Sequence, residues 1–232
     1  MLCIVFHLAY LCTKNKVNAM DIQEIYKIYQ AHPVVTTDSR NCPEGSIFVA
    51  LKGASFDGNK FAEAALEKGC SYAIIDEKEY AKAGDERYIL VDDALVTYKE
   101  LAREHRRQFS IPVIGITGTN GKTTSSFILE NILEKTARIG TTGNRILNEN
   151  FPTVNTTPES LELIKLIDKS VKKGADYFIM EVSSHALEIG RVDMLQFDSA
   201  IFTNLTQDHL DFHKTMENYF NAKKKIFSML RN

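Results

Sequence analysis

The stretch Val113-Ile-Gly-Ile-Thr-Gly-Thr-Asn-Gly-Lys-Thr-Thr-Ser-Ser-Phe127 decides how this chain is read. Val113 to Ile116 are apolar or small and read as a buried strand. Gly118-Thr-Asn-Gly121 reads as a turn. Beyond Lys122 and Thr123, Phe127-Ile-Leu-Glu-Asn-Ile-Leu133 carries apolar residues at helical spacing. Strand, glycine loop and helix is the arrangement in which backbone N–H groups and a helix dipole face a phosphate. On that reading Gly118, Thr119, Asn120, Gly121, Lys122, Thr123 and Thr124 form the cradle. Lys122 reaches the terminal phosphates and the Thr123 hydroxyl ligates Mg²⁺. The spacing is shorter than G-x-x-x-x-G-K-[ST], because Ile116 stands where the first glycine would be. A turn using glycines for geometry alone is the bland alternative, but it needs neither the lysine nor the threonines.

Outward from this stretch, helix-like and strand-like segments alternate. Asp21–Tyr29 has helical periodicity. Ser46–Leu51, Tyr72–Ile75 and Tyr88–Val91 read as strands, with a helix over Phe61–Lys68. A charged helix, Tyr98–Gln108, leads to Pro112. Beyond the opening stretch come a helix near Leu161–Lys172 and strands at Tyr177–Met180 and Ala200–Thr203. The expected fold is α/β: a small N-terminal α/β domain over residues 20–108, then a P-loop domain with a mostly parallel sheet over residues 109–232.

Bulk properties narrow the class. The chain has 232 residues, 44% hydrophobic and 25% charged, enough for a real core. A net charge of -2 offers no basic surface, so nucleic acid is not an expected partner. Cys3, Cys12, Cys42 and Cys70 include no CxxC pair and read as reduced thiols of a cytoplasmic protein. The apolar run Leu2–Cys12 is too short to span a bilayer, which takes about 20 residues. It has no basic flank, and Asn18-Ala-Met20 is a poor signal-peptide cleavage site. Residues 1–19 are therefore expected to be a leader upstream of the ordered sequence, in preference to an anchor, with no stable membrane association.

Three further features carry chemistry. Glu181 follows the strand Tyr177–Met180 at its carboxyl end, where ligands of open α/β sheets gather, and a carboxylate there can hold Mg²⁺. Thr203-Asn-Leu-Thr-Gln-Asp-His-Leu-Asp-Phe-His213 places His209 and His213 four apart. They would share a face if helical, but no third ligand stands at zinc spacing. One of them near a nucleotide-bound metal, the other structural, is the better reading. In Tyr219-Phe-Asn-Ala-Lys-Lys-Lys-Ile-Phe227, helical neighbours of Lys223 are Tyr219, Phe220, Ile226 and Phe227. Lys223 either points inward, with a lowered pKa, or snorkels past the aromatics.

Taken together, Gly118–Thr124, Asn155-Thr-Thr-Pro-Glu159, Met180-Glu-Val-Ser-Ser-His-Ala-Leu187, Arg191-Val192 and Phe202–His213 resemble the Mur ligases. The resemblance is greatest to the type that adds the third amino acid to UDP-N-acetylmuramoyl-L-Ala-D-Glu. It implies ATP and Mg²⁺, an acyl phosphate, and a UDP-N-acetylmuramoyl peptide and an amino acid as partners in peptidoglycan synthesis. By motif position, Lys122, Thr123, Glu181 and His209 belong to the phosphate and metal region. Lys223 matches a lysine that the family carbamylates. Asn155, Thr156, Thr157, Ser183 and Arg191 match positions that contact the nucleotide-sugar peptide. Ile189 stands where some relatives have glutamine. Thr37-Asp-Ser-Arg40 and Gly53-Ala-Ser-Phe-Asp-Gly58 resemble the uridine-binding segment, placing Thr37, Ser39, Ala54, Ser55 and Phe56 near UDP. His32–Gly45 and the run to Asp93 are nearer the D-Ala-D-Ala-adding type, which is the rival enzyme reading. A non-catalytic nucleotide-binding remnant is the rival from another class. The family's third, C-terminal domain is not among these residues, so the chain is expected to be an inactive fragment with an exposed sheet edge.

Overall fold

The computed structural model describes residues 20–53, 55–153 and 155–231, so Ala54 and the expected leader lie outside the described residues. Two compact units divide between Ala94 and Leu95. The first opens with α1 (Ile22–Ala31), which buries Ile25, Tyr26 and Tyr29 on one stripe. Four parallel strands follow in spatial order: β1 (Val35–Thr36), β2 (Ile47–Val49), β3 (Tyr72–Ile75) and β4 (Tyr88–Leu90). α2 (Ala62–Glu67) crosses between β2 and β3. Its alanines sit close against the sheet, with Ala62 and Ala65 fully buried beside Phe48, Ala73 and Ile75.

The packing divides the chain before most of the next helix, earlier than the expected break after Gln108. α3 (Ala94–Arg106) starts earlier than its charge pattern suggests and belongs to the second unit. Polar contacts from the middle and the C-terminal end of the helix hold it there. Lys99 Nζ donates to Ile189 O at 3.2 Å and to Asp193 at 3.3 Å, while His105 approaches Asp168 at 3.7 Å.

The second unit has a six-stranded sheet. In chain order its strands are β5 (Val113–Thr117), β6 (Thr136–Ile139), β7 (Asn144–Ile146), β8 (Glu149–Phe151), β9 (Tyr177–Glu181) and β10 (Ser199–Phe202). In space they run β10-β5-β9-β6-β7-β8. The first four in that order are parallel, and β7 and β8 are antiparallel additions. β9, central and covered on both faces, reads Tyr-Phe-Ile-Met-Glu without alternation, as buried parallel strands do. β10 is an edge of the described sheet, and none of its residues is fully buried.

The helices of this unit are α4 (Lys122–Ile132), α5 (Ser160–Lys172), α6 (Ser184–Glu188), α7 (Leu210–His213) and α8 (Met216–Ser228). Chain connections fix where a site can form. From β5 the chain crosses β9 to reach β6, whereas from β9 it crosses β5 to reach β10. Adjacent strands whose connections depart in opposite directions open a crevice at their carboxyl ends. The loops after β5, β6, β9 and β10 all lie at that end.

Periodicity misleads at one helix. Phe127, Ile128 and Ile132 of α4 are exposed, and Ser126 is its buried residue. Phe127 instead covers the guanidinium of Arg138, 3.9 Å from its ring centre. The load falls on β9: Phe178→Ala, which empties a fully buried site, is expected to cost about 3–5 kcal/mol. A urea melt should show the lower midpoint with an unchanged slope.

Candidate phosphate-binding site

The loop after β5 is held by the segment after β10. Thr119 N donates to Asn204 O at 2.9 Å and Asn120 N to Asn204 Oδ1 at 3.0 Å. Thr203 Oγ1 donates to Asn120 O at 2.6 Å, and Asn204 Nδ2 donates to the same carbonyl at 3.0 Å. Gly118 has φ +137°, and a Cβ there would stand 1.9 Å from Thr203 Oγ1, so glycine is required. Gly121, at φ +84°, caps α4 in the left-handed region. Thr124 lies exposed in the first turn of α4.

Two lysines converge on this loop. Lys122 Nζ donates to Gly118 O at 2.9 Å and Thr119 O at 2.8 Å. Lys223 Nζ donates to Gly118 O at 2.8 Å. Of the two readings open for Lys223, the inward one holds: its side chain is 1% exposed. The helical neighbours divide, however. Tyr219 and Ile226 are buried with it, whereas Phe220 and Phe227 are exposed. Burial, then repulsion by Lys122, holds Lys223 down to about 8, and burial likewise lowers Lys122.

Glu181 is the last residue of β9 and fully buried. Its Oε2 accepts from Thr123 Oγ1 at 2.9 Å and from Thr141 Oγ1 at 3.0 Å. Its Oε1 is buried without a hydrogen-bond partner. A buried carboxylate oxygen left unpaired beside a threonine hydroxyl is a hard donor set that fits Mg²⁺. Gly140 leaves room for it, since a Cβ there would lie 2.1 Å from Oε1.

The threonine motif is locked onto the same strand end. Thr157 Oγ1 donates to Glu181 O at 3.0 Å and accepts from Ser183 N at 3.0 Å. Thr156 Oγ1 is 3.1 Å from Thr141 Oγ1. Arg191 donates to Thr157 O at 3.3 Å and pairs with Glu159 at 2.6 Å, while its Nε is buried and unpartnered.

These groups surround a cavity of about 550 Å³ lined by Lys122, Asn155, Thr156, Thr157, Ser183, Arg191, His209 and Lys223, with Thr119 and Thr141. Ser184, His185, Ile189, Asp208 and Phe212 complete its wall. His209 and His213 are not companions on one helical face. His209 caps the single turn of α7 in the left-handed region and is half-exposed, whereas His213 is buried and its Nε2 meets Ser184 Oγ at 2.9 Å. His185 stands between their rings, at 5.1 and 5.6 Å, and packs on Phe212 at 4.1 Å. Burial lowers the pKa of both His185 and His213.

Thr141 and His185 were missed from sequence. His185 lies inside a motif already quoted. Thr141 belongs to Gly140-Thr-Thr-Gly143, a second glycine-bounded threonine pair after a strand, which was the available signal.

In the first unit, Thr37 and Ser39 sit in a tight loop after β1. Thr36 Oγ1 donates to Asn41 O at 2.9 Å, Lys68 Nζ to Ser39 O at 2.8 Å, and Arg40 grips Asp38 through two bonds. Ser55 is exposed, and Phe56 presents an exposed ring against Gly53.

Lys223 provides a direct check. A lysine held near 8 is expected to react with trinitrobenzenesulfonate with a midpoint near pH 8, well below the ordinary lysine value of about 10.4. Between those values the unfolded chain binds the extra proton, so this group adds stability as pH rises through the window. That gain is lost as pH falls to 8. Peptide mapping of the labelled lysine across pH reads the midpoint.

The Mur ligase middle domain matches residues 116–232, and a second domain described as Mur ligase family, catalytic domain, matches residues 33–108. The UDP-N-acetylmuramoyl-L-alanyl-D-glutamate–2,6-diaminopimelate ligase of Fusobacterium nucleatum is 48% identical over 199 residues, which are 84% of this chain and 41% of that protein. The ligase of the same name from Bacillus cereus is 44% identical over 204 residues, 85% of this chain and 41% of that protein. A solved structure of such a ligase superposes with a TM-score of 0.66 at 30% identity, covering 85% of this chain and 41% of that one. The MurF ligase of Thermotoga maritima, in complex with ADP, gives 0.64 at 30% identity, covering 85% and 43%. The chain spans about two fifths of the length of the curated relatives it matches. With both domain types matched in order over most of its length, the chain belongs to the Mur ligase family.

Proposed function

We propose that this chain supplies the nucleotide-sugar-binding and ATP-binding parts of an ATP-dependent amide-bond-forming ligase. The ligase adds the third amino acid to UDP-N-acetylmuramoyl-L-Ala-D-Glu in peptidoglycan synthesis. The observation that carries the reading is the shared cavity. The phosphate loop's Lys122 and the Asn155, Thr156, Thr157, Ser183 and Arg191 group line one space, so a terminal phosphate and an acceptor carboxylate can meet.

The chemistry follows from that meeting. A carboxylate oxygen of the acceptor attacks the γ-phosphorus, ADP leaves, and an acyl phosphate forms. The amine of the incoming amino acid then attacks the acyl carbon, phosphate departs, and the amine loses its proton. Two anions must approach for the first step, so positive charge has to be fixed beforehand. Lys122 provides it within the chain. Mg²⁺, held by Thr123, Glu181 and His209, would screen the phosphate oxygens when bound. Carbamylation would turn Lys223 into a further anionic support for that metal. Arg191 would take a carboxylate or phosphate, its Nε being free of a protein partner. In the first unit, Ser39, Thr37 and the Ala54–Phe56 loop would take the uridine, with the exposed Phe56 ring as a stacking surface.

The D-Ala-D-Ala-adding reading is favoured by the first unit's sequence and by the similar superposition on the Thermotoga maritima protein. The non-catalytic reading requires ATP binding with no acyl phosphate even when the domain that takes the amino acid is supplied. Calorimetry separates these. The chain is expected to bind Mg-ATP, with Lys122→Ala weakening it at least tenfold, and to prefer UDP-N-acetylmuramoyl-L-Ala-D-Glu over the tripeptide precursor. Preference for the tripeptide would favour the rival enzyme. Unchanged ATP affinity in Lys122→Ala would remove the phosphate-loop assignment.

A further inference from the structure

Tyr219 is the largest fully buried side chain of the described residues, yet its hydroxyl is aimed at the glycine loop. It lies 3.2 Å from Thr119 Oγ1. Proton accounting fixes the direction of this bond. A threonine hydroxyl has one proton and two lone pairs. Thr206 N donates to Thr119 Oγ1 at 3.0 Å, and Thr119 Oγ1 donates to Thr206 O at 3.2 Å. One lone pair remains, so the Tyr219 hydroxyl is the donor. Burial raises the pKa of Tyr219, which keeps that proton in place. One helical turn further along α8, the Lys223 ammonium lies over the Tyr219 ring, 4.5 Å from its centre. A single side chain therefore touches both the loop and the lysine that donates to the loop's first carbonyl.

We propose that Tyr219 is a positioning residue that sets the shape of the phosphate cradle. Its hydroxyl fixes Thr119, and its ring forms the floor on which Lys223 reaches Gly118 O. Thr119 thereby acquires three bonds from two separate elements: the segment after β10 and α8. The loop's N–H groups are then held before an anion arrives, which is the condition for strong binding of a multiply charged phosphate. The proposal rests on the reading of the Gly118–Lys122 loop as a triphosphate cradle.

The test is a double-mutant cycle read as affinity for ATP, inorganic tripolyphosphate and AMP, with urea melts of every variant. Tyr219→Phe keeps the ring and deletes one neutral hydrogen bond, which is expected to weaken ATP and tripolyphosphate about two- to tenfold. AMP should change less, since it places fewer phosphate oxygens on the loop. Thr119→Ser keeps the hydroxyl and should lose less affinity than Thr119→Val. Thr119→Val should lose affinity, and Tyr219→Phe should add nothing in that background. Parent-like affinity in Tyr219→Phe, additive losses in the double variant, or equal losses for AMP and ATP would each overturn the positioning role. These outcomes leave the cradle itself standing. Failure of the parent chain to bind either ATP or tripolyphosphate would instead remove the cradle, and the inference with it.

Discussion

The backbone of the loop after β5 has to lie against the segment after β10, and most of the second unit is arranged around that contact. The clearance is small: any side chain at Gly118 would collide with Thr203. Asn204 uses its backbone carbonyl and both ends of its amide on Thr119 and Asn120, so the loop is clamped through its backbone, and the Thr119 hydroxyl adds bonds to Thr206 and Tyr219. β10 must therefore pair with β5 in the observed register for the cradle to exist, and Phe202 opposite Thr117 brings Thr203 to the right height. β9 on the other side delivers Glu181 level with Ile116, one residue short of the loop.

Charge is managed around this contact in a way a structural turn does not need. Two ammonium groups share one carbonyl, that of Gly118, inside a partly desolvated wall. A carboxylate faces two threonine hydroxyls through one oxygen and leaves the other buried and unpaired. Each is unfavourable alone, since buried polar groups normally find partners and like charges repel. Strain of this kind concentrates where a ligand completes the arrangement. Phosphate oxygens would satisfy the lysines, and a divalent cation would satisfy Glu181. No helix among the described residues is long and apolar enough to cross a bilayer.

Much of this was legible in the sequence, for identifiable reasons. The glycine loop announces itself because φ above zero and close approach leave glycine as the only comfortable residue. Lys223 could be singled out from Lys224 and Lys225 because a helix turns by a fixed angle, and Tyr219 and Ile226 lie on its side. Other parts were hidden by tertiary effects. β6 contains Arg138, which reads as a surface residue but is buried under Phe127 and paired with Glu130 at 2.9 Å. With that strand unseen, Thr141 had no context. The charges of α3 disguised its membership of the second unit, because Lys99 and His105 reach partners distant in sequence. The four-residue spacing of His209 and His213 carries no information about the left-handed conformation of His209, which caps α7 between strand and helix.

The central claim is that this crevice holds a nucleotide's phosphates on the loop and a metal at Glu181. A crystal structure of the chain with Mg²⁺ and a non-hydrolysable ATP analogue tests it most directly. The account places the β- and γ-phosphates on the backbone N–H groups of Gly121 to Thr123, since those of Thr119 and Asn120 are bonded to Asn204. It puts Lys122 Nζ released from Gly118 O onto a phosphate oxygen, and the metal within reach of Thr123 Oγ1 and Glu181 Oε1. Phosphates bound elsewhere, or a Glu181 oxygen still unpaired with nucleotide in place, would contradict it.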